Sequence, residues 1–274
     1  MAVELLVLVD NHAGSEDLLA EHGLAVVLSA GGRQILFDAS ASGQTVCHNA
    51  ERLGVDLGAI DAAIISHGHY DHTGGLDAVV ARRPGLPIYA HPGAFSRRWS
   101  GHSGQPMRDI SCPHTVEKLC DRGAVFHAVR APEMLAEWLV LSGPVGGPPP
   151  PRQPFVVRKA DEIVVDAFED ELFCLLRGES GWVVLTGCCH RGLANTLRAA
   201  RFLAHDEPIA AVIGGLHLGD AADAELEQVV GLLDRYGRPT VYTCHCTGER
   251  AAAFLAERLG EKVQPVQAGW RAAF

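Results

Sequence analysis

The first half of the chain alternates short apolar runs with glycine-bearing turns and stretches of helical spacing. Residues 3–9 read as a strand closing on the turn pair Asp10-Asn11. Residues 24–28 and 34–37 flank Gly31-Gly32, the pattern of a hairpin with a glycine turn. Residues 45–53 carry helical spacing and stop at Gly54. Residues 60–65, Ile-Asp-Ala-Ala-Ile-Ile, predict a short buried strand. A helix over 76–83, ending before Pro84, and a strand over 87–90 follow.

The second half repeats this plan. Residues 171–177 and 181–185 pair as a hairpin around Gly178, and residues 186–192 turn into a helix over 193–204. A buried strand over 209–213 ends in Gly214-Gly215-Leu216-His217-Leu218, and an amphipathic helix covers 221–236. The strand 240–243 leads to Cys244-His245-Cys246-Thr247-Gly248 and a helix to residue 259. Each of these strands delivers a histidine at its C-terminal end, where α/β proteins build their sites.

Two stretches break the pattern. Residues 91–120 hold Arg97, Arg98, His102, Arg108 and His114 among glycines and prolines. They read as an excursion over the active-site face, whose cations meet a phosphate or carboxylate, or else as a solvated loop. Residues 143–154, with four prolines in a row from Pro148, fit neither helix nor central strand. They predict an extended connection, serving also as a lid or a subunit contact.

Composition narrows the function. The chain has 274 residues, 47% hydrophobic and 20% charged, as in an ordinary globular protein. Because the two halves share one predicted site, one domain over residues 1–274 is expected. A net charge of −10, from 33 acidic against 23 basic residues, argues against a nucleic-acid partner. None of the eight cysteines forms a CxxC pair, which excludes a zinc ribbon and a thioredoxin-like motif. Cys188, Cys189, Cys244 and Cys246 stand beside candidate histidines, but reduced core cysteines are the expectation. The first residues lack a basic region and a cleavage site, and no apolar run has membrane-spanning length. A cytoplasmic monomer or homodimer without a membrane partner is expected.

Chemistry concentrates between the strand 60–65 and the helix 76–83, in Ser66-His67-Gly68-His69-Tyr70-Asp71-His72-Thr73-Gly74-Gly75. Three imidazoles and a carboxylate within six residues suit zinc, manganese or iron. In a turn, His67 and His69 reach one ion while Asp71 and His72 point to a second. The Thr-Gly-Gly that follows allows close backbone approach and a tight helix entry. So dense a cluster argues against a mere histidine-rich surface loop.

His67-x-His69-x-Asp71-His72 resembles the signature of the metallo-β-lactamase fold superfamily. The longer Ser-His-Gly-His-Tyr-Asp-His-Thr-Gly-Gly-Leu is similar to the branch named for 7,8-dihydropterin-6-methyl-4-(β-D-ribofuranosyl)aminobenzene-5′-phosphate synthase. The resemblance implies an α/β fold, a four-layer αββα sandwich, and metal-dependent hydrolysis. Gly187-Cys188-Cys189-His190 matches the third metal motif, although many members have serine where Cys189 stands, and His245 matches the last. The implied ligands are His67, His69 and His190 for one ion, and Asp71, His72 and His245 for the other. Asp38 is implied to lie under the metal loop and orient it. Asp10-Asn11 resembles the opening motif at the active-site mouth. Asn11, His91, Arg191 and Thr247 are the expected substrate contacts.

His217 departs from the pattern, standing where many superfamily hydrolases carry an aspartate that bridges both ions. A neutral imidazole offers one lone pair and cannot bridge. One or two divalent ions are therefore expected, zinc ahead of manganese or iron, with the second ion weaker, differently placed or absent. A metal-bound hydroxide would attack a phosphoryl or carbonyl centre, with Asp71 orienting it. His217 would ligate one ion, hold the oxyanion or protonate the leaving group. The expected substrate is a small anionic ester, with phosphodiester or cyclic phosphate ahead of lactone and thioester, and a pterin-type compound implied by the branch. Two other classes are an iron-dependent redox or sulfur-handling enzyme, as the superfamily contains both, and a non-catalytic metal sensor.

Overall fold

The computed structural model describes residues 2–101, 107–148 and 155–274. In the strand Glu4–Val9, Leu5 and Val7 face one side and Leu6 and Leu8 the other, and all four are buried. Its neighbour Ala25–Ala30 repeats this, with Val26 and Leu28 on the first side and Val27 on the second. Side chains alternate along a strand, so a sheet buried on both faces needs a cover on each. That requirement produces the layers.

The first sheet has the strand order Arg271–Ala273, Glu4–Val9, Ala25–Ala30, Arg33–Phe37, Ala62–Ile64, Pro87–Ala90, Val125–Ala128. The second runs Val263–Pro265, Thr240–Thr243, Ile209–Gly214, Gly181–Thr186, Cys174–Gly178, Leu139–Leu141, Glu133–Ala136. Between them Leu5, Val7 and Leu28 pack with Leu139, Leu176, Leu185 and Ile213. Outside the first sheet, the helices Gly43–Leu53 and Leu76–Arg82 contribute Val46, Ala50, Val79 and Val80. Outside the second, Leu193–Leu203, Asp223–Arg235 and Glu249–Leu259 contribute Leu197, Leu226, Leu233 and Leu255. The architecture is a four-layer αββα sandwich of the α/β class.

Local signals hold in detail. Gly31 and Gly32 both have positive φ, at 59° and 76°, which the tight hairpin between the second and third strands requires. Ser42 caps the helix Gly43–Leu53 by accepting from Thr45 N, and Gly54 closes it in the left-handed region. The strands Arg33–Phe37, Ala62–Ile64 and Pro87–Ala90 pair in parallel, as do Gly181–Thr186, Ile209–Gly214 and Thr240–Thr243. Parallel pairing brings their C-terminal ends to one edge of each sheet.

The excursion is more ordered than its composition implies. Arg98–Ser100 and Arg108–Asp109 are short strands, and they join the hairpin Phe155–Lys159 and Glu162–Val165 in a third sheet. His102 and most of the proline run lie outside the described residues. Arg98, one of the cations expected either to face an anionic ligand or to lie in a solvated loop, is instead buried inside the protein. Its Nε is 2.7 Å from Asp166 Oδ2 and its Nη2 is 2.7 Å from Asp170 Oδ1. Two acidic residues from a distant segment outcompete any substrate for it. Asp170 Oδ2 also accepts from Gly68 N at 2.9 Å, so this pair braces the histidine loop. A Cβ on Gly68 would lie 1.8 Å from Ala94 O, so only glycine fits there. Arg97 is spent on Asp109.

Truncating Arg98 to alanine strands two buried carboxylates and should cost about 3–5 kcal/mol in urea unfolding. The triple change Arg98→Met, Asp166→Asn, Asp170→Asn should cost less than Arg98→Ala alone. A larger loss in the triple variant would show that the charges stabilise the fold outright.

Candidate metal centre

Asp38 directly follows the strand Arg33–Phe37, has φ 58° and is fully buried. Its carboxylate accepts from Ser66 N at 2.8 Å, Ser66 Oγ at 2.7 Å and His72 Nδ1 at 2.6 Å. Because Ser66 gives its proton to Asp38, its oxygen can only accept from His67 Nδ1, 2.9 Å away. The hydrogen-bond network thus protonates His67 and His72 on Nδ1 and turns their Nε2 atoms inward. His245 is arranged the same way from the other half of the chain. Its Nδ1 lies 2.9 Å from Asn11 Oδ1, which also accepts from Gly23 N, and its own backbone N donates to Asp10 at 2.7 Å.

Two groups of donor atoms result. His67, His69 and His190 form the first, with ligand atoms within 4.8 Å of one another and every residue buried. His67 Nε2 and His69 Nε2 are buried with no hydrogen-bond partner. Burial, and then the neighbouring His72 and His69, hold His67 well below the usual imidazole range, so its lone pair is available. Burial does the same to His69.

Asp71, His72, Cys188 and His245 form the second group. His72 Nε2 lies 3.2 Å from His245 Nε2, and Asp71 Oδ2 is 3.3 Å from His245 Nε2 and 3.7 Å from His72 Nε2. Two imidazole nitrogens with both Nδ1 atoms pinned cannot face each other at that distance without a positive charge between them. Burial disfavours charge on His72, but Asp38 and Asp71 outweigh it and favour a bound proton wherever no other cation takes its place. Burial also pushes Asp71 up, yet the charge of His72 and hydrogen bonds from His22 and His245 hold its carboxyl well below the usual range. Both groups therefore fit divalent cations.

The other anticipated residues fall in varied places. His217 has φ 51° and is half-buried, with its ring 4.4 Å from that of His190, and it belongs to neither donor group. Asn11, expected on the substrate, spends its oxygen on His245 and Gly23 and so positions a donor. Arg191, also expected on the substrate, is buried and gives its guanidinium to the carbonyls of Ala167 and Gly147. Thr247 is buried as well, accepting from Leu216 N at 3.1 Å. His91 accepts from Gly93 N at 3.1 Å, capping a short helical turn. Sequence motifs place these residues near the centre but cannot show which polar atoms the neighbouring backbone consumes.

Three further residues reach the site. His22 is largely exposed, and its Nε2 lies 3.2 Å from Asp71 Oδ2. A lone histidine in a loop carries no signal of that contact. Glu171 had been read only as the start of a strand. It is buried, accepts from His190 N at 2.5 Å and Arg191 N at 2.6 Å, and braces the turn that carries His190. Burial raises its carboxyl to about 7, against the pull of those two N–H groups. A glutamate opening the apolar run Leu172-Phe173-Cys174-Leu175-Leu176 was the available clue. Cys188, expected as a core thiol, has its Sγ 3.1 Å from His72 Nε2.

A histidine-aspartate loop at the edge of an αββα sandwich, answered by histidines from the opposite sheet, defines a class of metal-binding α/β proteins. The chain belongs to the metallo-β-lactamase superfamily, whose profile matches residues 19–173. It is 25% identical to the 7,8-dihydropterin-6-methyl-4-(β-D-ribofuranosyl)-aminobenzene-5′-phosphate synthase of Methanocaldococcus jannaschii, over 97% of this chain and 95% of that protein. It is 30% identical to Tm1679, described as a metal-dependent hydrolase of the β-lactamase superfamily, with a TM-score of 0.84 over 98% of each chain. Zinc-bound PqqB from Methylobacterium extorquens, at 12% identity and a TM-score of 0.58 over 98% of this chain and 99% of its own, shares the fold. Among the described residues no helix is long and apolar enough to cross a membrane.

Asp38→Asn puts an amide donor against groups that must donate, so the imidazoles lose their alignment. Metal affinity should fall roughly 10–100-fold with the far-ultraviolet circular dichroism unchanged. Competition with a chromophoric chelator measures it, and an unchanged affinity would refute the orienting role.

Proposed function

We propose that the protein is a metal-dependent hydrolase of small anionic esters, with phosphodiesters or cyclic phosphates as the preferred class. One observation carries this reading: buried imidazoles converge in two donor groups, with Asp71 in the second, and the groups adjoin where the His67 and His72 rings lie 4.2 Å apart. In this proposal His67, His69 and His190 hold one ion, and Asp71, His72 and His245 hold the other. The imidazole-rich sets favour zinc ahead of manganese or iron. A divalent ion bound there supplies a nucleophile from water near neutral pH and polarises the substrate oxygen.

The chain's own groups do the rest. Asp71 Oδ2, which also meets the exposed His22, accepts a hydrogen bond from the attacking water and aligns it. His217, half-buried beside His190, is placed to hold the developing oxyanion or protonate the leaving group. Arg108 is exposed at the same mouth, with Nη2 2.6 Å from Tyr70 Oη, and offers the substrate's anionic group a cation. Phe155, with its ring 5.4 Å from His69 and 5.8 Å from His217, shields that side from water. The name of the Methanocaldococcus relative refers to a phosphate-bearing pterin compound, which supports phosphate esters, a pterin-type one included, ahead of lactones and thioesters.

Purified protein should hydrolyse bis(p-nitrophenyl) phosphate or a cyclic nucleotide, lose that activity on chelation, and regain it with zinc or manganese. His217→Ala should lower kcat by roughly 10²–10⁴-fold with metal content unchanged. A drop in metal content would make His217 a ligand instead. Iron as the resident metal, with oxygen uptake and no ester turnover, would replace hydrolysis by a redox function.

A further inference from the structure

We infer that Cys188 is the fourth protein ligand of the second ion, bound as thiolate alongside Asp71, His72 and His245. The inference rests on the metal-centre reading above and adds an anionic sulfur to it.

Geometry carries the argument. Bonds of about 2.0–2.2 Å to nitrogen or oxygen and about 2.3 Å to sulfur, at tetrahedral angles, set nitrogen and oxygen donors roughly 3.3–3.6 Å apart and sulfur roughly 3.5–3.7 Å from them. The separations in this group are 3.1 Å for Cys188 Sγ to His72 Nε2, 3.2 Å between the two Nε2 atoms, and 3.3 and 3.7 Å from Asp71 to His245 and His72, so a small outward shift of the sulfur completes the shell. All four donors lie within 4.8 Å of one another and are buried. Four donors this close together are compact enough to share one ion.

The other cysteines nearby play different parts, Cys246 pairing with the Cys188 and His217 side chains from outside the donor groups. Cys189 has φ 62°, which turns the chain between Cys188 and His190, so one tight bend sends Cys188 to the second group and His190 to the first. Cys189 Sγ faces Thr196 Oγ1 at 3.3 Å, and Cys246 Sγ faces the Cys188 carbonyl at 3.6 Å. Neither joins the donor groups.

Charge points the same way. Asp71 is the lone carboxylate among the seven donors, and the first group is made of neutral imidazoles. A thiolate at Cys188 gives the second group two negative charges, which match one divalent ion in a largely buried site. On binding, the Cys188 S–H bond breaks, its proton leaves to solvent, and a sulfur–metal bond forms.

Cobalt(II) titration tests this without activity. Wild-type protein should bind two cobalt ions and develop thiolate-to-cobalt charge-transfer absorption in the near ultraviolet. Cys246→Ser should keep that band. Cys188→Ser should lose it, retain one cobalt ion, and weaken the second by more than the roughly 10–100-fold that loss of an outer partner costs. X-ray absorption on the wild-type zinc protein needs no variant and should show a sulfur scatterer at about 2.3 Å. Two bound ions with no sulfur signal, or a band that survives in Cys188→Ser, would overturn the inference and leave the two-ion centre standing. No bound cobalt in wild-type protein would overturn both.

Discussion

Asp38 is a carboxylate with no solvent access, and it survives burial because three donors surround it. A buried charge needs such partners or it costs more than the fold can supply. Those donors are the backbone and hydroxyl of Ser66 and the imidazole of His72, so satisfying Asp38 dictates the path of the histidine loop. Through the Ser66 hydroxyl the same carboxylate determines which nitrogen of His67 carries the proton. The tautomer of two candidate ligands, and hence the direction of their lone pairs, follows from one residue at a strand end.

The rest of the centre depends on the packing of two sheets. His67, His69, Asp71 and His72 follow the strand Ala62–Ile64 of the first sheet, whereas Cys188, His190 and His245 follow strands of the second. No donor group is complete on one sheet alone. The apolar layer between the sheets, built from residues such as Leu5, Leu28, Leu185 and Ile213, brings the two sets into register. Non-directional burial supplies the approach, and directional hydrogen bonds from Asp38, Asn11 and Glu171 supply the aim. Arg98, Asp166 and Asp170 serve the same end from the third sheet, because Asp170 holds the Gly68 amide inside the loop.

Much of this was legible in the chain itself. Apolar alternation located the strands and glycine pairs the turns, because side-chain direction along a strand and positive φ are local properties. The spacing of His67, His69, Asp71 and His72 marked a metal loop, since four donors within one turn are already close neighbours in space. The sequence also marked His190, His217 and His245 by their shared place at strand ends.

What the sequence could not convey is which polar groups are already spent. Arg98, Arg191 and Thr247 looked available for a ligand, yet acidic side chains and backbone groups far away along the chain consume them. Conversely, His22 and Glu171 looked unremarkable and Cys188 read as a core thiol, and contacts across the fold bring them to the centre. Hydrogen-bond partners separated by a hundred or more residues, such as Gly68 and Asp170, exist only after the layers close. Local pattern therefore determined the elements and the metal loop, and tertiary packing decided which donors converge, because convergence is a property of distances between segments that no local pattern encodes.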